Sequence, residues 1–77
     1  MIDRLPLPGD VRPIRGGACG AARPLWNLPG YSAAVRCRRT LDHGLQALVV
    51  SVQEGEALVV VDGAVGWVSV NALEDLT

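Results

Sequence analysis

The sequence predicts an all-β domain, and three observations carry that prediction. Valine supplies 11 of the 77 residues, nine of them between positions 45 and 70, the β-branched enrichment that pleated sheets favour. Short apolar runs recur at regular spacing with Gly-bearing turns between them, the pattern of a small barrel or sandwich. No stretch keeps helical spacing of apolar residues over three turns. A chain of this length holds one core at most.

Residues 1–20 read as an extended N-terminal arm. Leu5-Pro6-Leu7-Pro8-Gly9-Asp10 has no place in a helix interior, because two prolines remove donors and Pro-Gly-Asp turns the chain. Val11 to Arg15 is extended, and Pro13 confines it to a sheet edge or an irregular segment. Gly16, Gly17 and Gly20 loosen the end of the arm. Residues 21–77 then form the domain proper. Strands are predicted at Arg23 to Trp26, Ala34 to Leu41, Leu45 to Val52, Ala57 to Val61 and Val65 to Val70. Asn27-Leu28-Pro29-Gly30 and Asp42-His43-Gly44 are turns. Gln53-Glu54-Gly55-Glu56 is a hairpin loop, and Asp62-Gly63 between β-branched flanks is a strong hairpin signal. Asn71 to Glu74 closes the chain with one helical or 3₁₀ turn. There is no internal repeat and no low-complexity tract.

Charge divides the chain. All seven basic residues are arginines within the first 39 positions, opposed there only by Asp3 and Asp10, so that half carries +5. Residues 40–77 hold six acids and no base, a balance of −6. Interleaving of the halves predicts mutual neutralisation across strands. A pI near 5.6 argues against a nucleic-acid partner. The alternative reading keeps one: a small-barrel nucleic-acid-binding protein whose arginine patch is Arg36, Arg38 and Arg39 with Arg12 and Arg15. Apolar runs are too short to span a membrane, and no amphipathic helix supports attachment to one. Met1 to Asp10 lacks the apolar run of a signal peptide, so a cytoplasmic location is expected. Free thiols are then expected at Cys19 and Cys37, with Cys37 turned inward by alternation along Val35-Arg36-Cys37-Arg38. A thiol-based redox role for the two is a third, weaker reading.

The C-terminal half resembles a known family. Gly44 to Val50, then Ala57 to Val61, then Asp62-Gly63-Ala64-Val65-Gly66-Trp67-Val68 and a closing Leu73 look like a bacterial SH3-like domain. The likeness is carried by residues 44–73, and its sharpest part runs from Asp62 to Val68. Pro29-Gly30-Tyr31-Ser32 before Val35 resembles the loop ahead of the family's second strand. Arg23-Pro24-Leu25-Trp26 departs from the family's usual segment there, and Leu58 stands where an aromatic is common. The resemblance implies a small SH3-like barrel of about five strands and a role in binding proteins or peptides. Within the motif, Gly66 is expected where backbone or a ring approaches closely, with Val68 inward and Trp67 on the outer face.

Catalysis finds little support. His43 is the only histidine and stands in a turn without partners; Ser32, Ser51 and Ser69 lack a nucleophile elbow; Glu54 and Glu56 flank Gly55 at a hairpin tip. Two cysteines and one histidine do not make a zinc site, and no Gly-rich element opens a helix to cradle phosphate. The chain is therefore expected to be no enzyme and to hold no metal and no cofactor.

Binding has a physical warrant in broken alternation. If Ala47, Val49 and Ser51 face inward, Leu48, Val50 and Val52 face outward, and Ala57 to Val61 is apolar on both faces. One small barrel has one interior, so the second face is expected to be covered. The outer face around Leu48, Val50, Val59, Val61 and Trp67 is the expected binding surface. Its cover is the arm with Ile2, Leu5, Leu7, Val11 and Ile14, a second copy in a homodimer, or another protein. Trp26, Tyr31 and Trp67 are the whole aromatic set. They are candidates to line a groove for an extended or proline-rich peptide, such as Leu5 to Pro8 itself. For Trp26 a place in the core is the favoured reading, and for Trp67 and Tyr31 the two readings stay open.

Overall fold

A computed structural model of the chain describes residues 5–17, 21–30 and 32–74. It is all-β, one antiparallel sheet of six strands: β1 (Val11–Pro13), β2 (Arg23–Trp26), β3 (Cys37–Leu41), β4 (Gln46–Gln53), β5 (Glu56–Val61) and β6 (Ala64–Ser69), with a 3₁₀ turn after them at Val70–Ala72. The order across the sheet is β1-β4-β5-β6-β2-β3. Five strands fall where the sequence predicts them, and the sixth is Val11–Pro13 at an edge, where Pro13 costs the least ladder bonding.

Two tight hairpins build the centre. Glu54-Gly55 and Asp62-Gly63 both stand at positive φ, at 47° and 82° and at 50° and 77°, the backbone of a two-residue turn whose twist matches the flanking strands. Residues 34–36 do not extend the third strand as expected. The Asn27 side chain donates to the Ala34 carbonyl at 3.1 Å and accepts the Arg36 amide at 2.6 Å, holding that segment as a loop until Cys37.

The sheet curls, and its connections require it. In the strand order β3 lies four positions from β4, which is about 19 Å across a flat sheet. From Leu41 to Gln46 the chain takes five steps, which reach at most about 18 Å even when fully extended. Curling lets the short link from β3 reach β4, and the end of that link runs beside Ile14 after β1. There the Ile14 amide donates to the Leu45 carbonyl at 2.7 Å, and the Gly44 amide to the Ile14 carbonyl at 2.8 Å. Among the described residues β1 and β3 do not pair with each other, so the sheet is curled without being closed.

One core fills the concave side. Ile14, Leu25, Leu41, Val49, Val59, Val61 and Val68 are all at most 1% exposed, each contributing about 1.5–3 kcal/mol by leaving water. Ala72 and Leu73 of the closing turn seal it, with Leu73 bridged to Ile14. Residues 11–14 thus share both sheet and core with the domain proper. Arg12 is buried with them, at 1% exposed. Its partner across the ladder is Ala47, whose short side chain leaves room for the arginine stem. Its Nη2 meets Asp10 Oδ2 at 3.4 Å and the Leu5 carbonyl at 3.2 Å.

A bulge decides which side chains face inward. β4 and β5 pair Val49 with Val59, then Ser51 with Leu58, so Val50 is the extra residue. Beyond it the alternation inverts. Val52 packs against the core and Ser51 moves to the outer face, the reverse of the expected assignment. The expected outward placement of Val59 and Val61 is corrected too: both are buried, because they stand opposite Val49 and Ala47.

Candidate binding surface

The convex face carries two apolar rows that cross the strands. Val11, Leu48, Val60 and Val65 are successive partners across β1, β4, β5 and β6. Val11 is 51% exposed, Leu48 42% and Val65 47%. The second row runs through Leu58, Trp67, Trp26 and Cys37 across β5, β6, β2 and β3, with Ser51 as its β4 member. Leu58, Trp67 and Trp26 are half-buried. The bulged Val50 adds a further exposed side chain. A third row, Gln53, Glu56 and Ser69, is polar and bounds the patch. Cross-strand neighbours lie about 4.5–5.5 Å apart, so the apolar rows are contiguous.

Of the residues named from sequence, Leu48, Val50 and Trp67 stand on this face. Trp26 joins them instead of entering the core. Unbroken alternation along β2 gives the interior position to Leu25 and leaves Trp26 on the outer face, opposite Trp67. Leu25 fits there only because residue 66 is glycine: a Cβ at Gly66 would come within 2.7 Å of Leu25 Cγ and of the Trp26 carbonyl oxygen. Tyr31 and Cys19 lie outside the described residues, as does Ile2. Cys37 is exposed, against expectation, because β3 is an edge strand of which only Leu41 reaches the core.

The described part of the arm, residues 5–17, does not lie over the outer face. Residues 7–14 run along the edge of β4, with the Gly9 amide donating to the Val49 carbonyl and the Val49 amide to the Asp10 carbonyl, both at 2.8 Å. Ile14 leaves the arm for the core, and Leu5 and Leu7 stay 70% and 57% exposed.

Beside the second row opens a cleft of about 680 Å³. Trp26 and Val35 supply its apolar walls, Ser32 and Ser69 its hydroxyls, and Glu54 and Glu56 two carboxylates. The Asn27 clamp presents Val35. Glu56 Oε2 accepts the Gly30 amide at 2.5 Å, tying the hairpin tip to the 27–30 turn across the opening. Leu5 to Pro8 takes no part in the lining.

The arginine patch is only partly assembled. Arg12 is removed from it by burial. Arg36 Nη1 donates to the Ala33 and Val35 carbonyls of its own loop, and Arg39 Nη2 pairs with Asp62 at 2.8 Å. Arg38 and Arg15 are exposed. Arg39–Asp62 joins the basic half to the acidic half across strands. His43 is exposed, and its Nδ1 accepts the Gly16 amide at 2.9 Å, a tie between turn and arm that no sequence signal marks. Among the described residues no three His, Cys, Asp or Glu side chains group to hold a metal ion, and no helix is long and apolar enough to cross a membrane. Compared with protein-family models, curated proteins and solved structures, the chain matches none.

Proposed function

We propose that this chain is a non-catalytic SH3-like module that binds another protein or peptide through the convex face of its sheet. The observation that carries the reading is the pair of apolar rows, which neither the arm nor any other described segment covers. An apolar side chain left at 40–50% exposure contributes little to a monomer's own stability, and contiguous patches of them mark interaction surfaces. The SH3-like assignment rests on the Asp62 to Val68 motif, and the curled antiparallel sheet around one small core is compatible with it. The arginine reading is weaker, since two of its five members are engaged elsewhere on the surface and Arg12 is buried.

Leu48→Glu and Val65→Glu test the proposal, because each places a charge in the first row without touching the core. Sedimentation velocity of the two variants beside the parent chain reads self-association. Quantitative recovery of proteins from the source cell on immobilised parent and variants reads other partners. Loss of association or of a defined captured protein in both variants is the expected result. An association state and a captured set that are the same in all three would overturn the reading.

A further inference from the structure

We infer that the cleft beside Trp26 receives a cationic side chain, an arginine or lysine carried on an extended segment of the partner; this deepens the binding-module reading and rests on it. The argument is charge complementarity within a built hollow. At about 680 Å³ the cleft falls in the about 300–1,000 Å³ range of ligand sites. Its described lining includes Glu54 and Glu56 and no basic residue.

Among the described residues no cation neutralises these acids: neither Glu54 nor Glu56 has an ion-pair partner there. Arg36, next in the chain to the lining residue Val35, spends its guanidinium on the Ala33 and Val35 carbonyls. Glu56 is held in place by the Gly30 amide, so one carboxylate is preorganised before any ligand arrives. The indole of Trp26 supplies the aromatic surface over which a guanidinium or ammonium is favoured. Val35 on the loop side accommodates the methylene stem that such a side chain brings. An anionic ligand would meet two like charges there, and a purely apolar one would strand both carboxylates against it.

The test uses the full chain and two small probes, N-acetyl-arginine methylamide and its neutral isostere N-acetyl-citrulline methylamide. Amide and indole NMR signals are followed to about 50 mM probe, since a ligand of this size binds on the order of millimolar. The expected result is saturable movement of the Gly30, Gly55 and Trp26 indole signals with the arginine probe. The citrulline probe should bind about tenfold more weakly. Glu54→Gln, at an exposed position that leaves the fold alone, should weaken the arginine probe several-fold and leave the citrulline probe unchanged. Equal binding of the two probes, movement only elsewhere, no saturable movement, or an unaltered Glu54→Gln response would each overturn the inference. None of these outcomes touches the Leu48 and Val65 variants, so the cleft can fail while the convex face stands, and the reverse.

Discussion

Leu25 Cγ lies where the methyl of an alanine at position 66 would have to be, 2.7 Å from that missing Cβ, and the Trp26 carbonyl oxygen is equally close. The contact joins β2, which leaves the arm, to β6, which carries the most family-like motif. It also places Trp26 on the convex face, because Leu25 takes the only inward position at that end of β2. Gly66→Ala is therefore expected to cost about 2–3 kcal/mol, the scale of overpacking where backbone must shift. Urea unfolding monitored by tryptophan fluorescence reads the loss, and a cost below ~0.5 kcal/mol would show that β2 moves aside freely.

Ile14 ties the arm to the domain from inside the core. Ile14→Ala should destabilise the chain by about 2–4 kcal/mol. A chain beginning at residue 21 would lose Ile14, the β1 ladder and the Ile14–Leu73 bridge together, so it should fail to unfold cooperatively. A sharp thermal transition in that truncated chain would contradict the shared core.

Asp10 and Arg12 make a buried latch on the same edge. Asp10→Ala removes one carboxylate contact from the guanidinium of Arg12, a residue 1% exposed, and also removes the acceptor of the Leu7 amide. A loss of about 2 kcal/mol is expected. Arg12→Met keeps the stem and removes the charge, so its cost should be smaller. Denaturant midpoints of the two variants give the comparison, and a costlier Arg12→Met would show that the ion pair is not what holds the edge.

Glu54 occupies a left-handed position, φ 47°, that asparagine or glycine fills with less strain. Glu54→Asn should raise stability by about 0.5 kcal/mol while removing a cleft carboxylate. Thermal unfolding measures the first effect and the arginine probe the second. A stability gain without weaker probe binding would separate turn chemistry from the cleft.

Much of the fold was legible along the chain. Asp62-Gly63 between valines specifies a hairpin whatever surrounds it, because both residues tolerate the left-handed backbone that the turn demands. Gln53 to Glu56 was legible as a turn for the same local reason, and Pro13 confined its segment to a sheet edge or an irregular stretch because it has no amide to donate. The candidate site was legible only in part. Leu48, Val50 and Trp67 were found through broken alternation. Val59 and Val61 were misplaced, since Ala57 to Val61 is apolar at every position and a period-two pattern has no phase there. Trp26 was misplaced because Leu25 and Trp26 are adjacent and both apolar, so the pattern does not say which of the two takes the inward position. The cleft itself was not legible, as Trp26, Val35 and Glu56 come from three separate segments.

From the sequence alone come the strands, the turns between them and an excess of apolar side chain over what one small core can hide. Tertiary structure alone decides where that excess lies. One bulged residue at Val50 exchanges the faces of everything after it, and pairing with Ala47 draws Arg12 inward. A short link from β3 to β4 forces the sheet to curl, which gives it an inside and an outside. Local propensity acts on neighbours in the chain, whereas facing is settled by pairing between residues far apart in it.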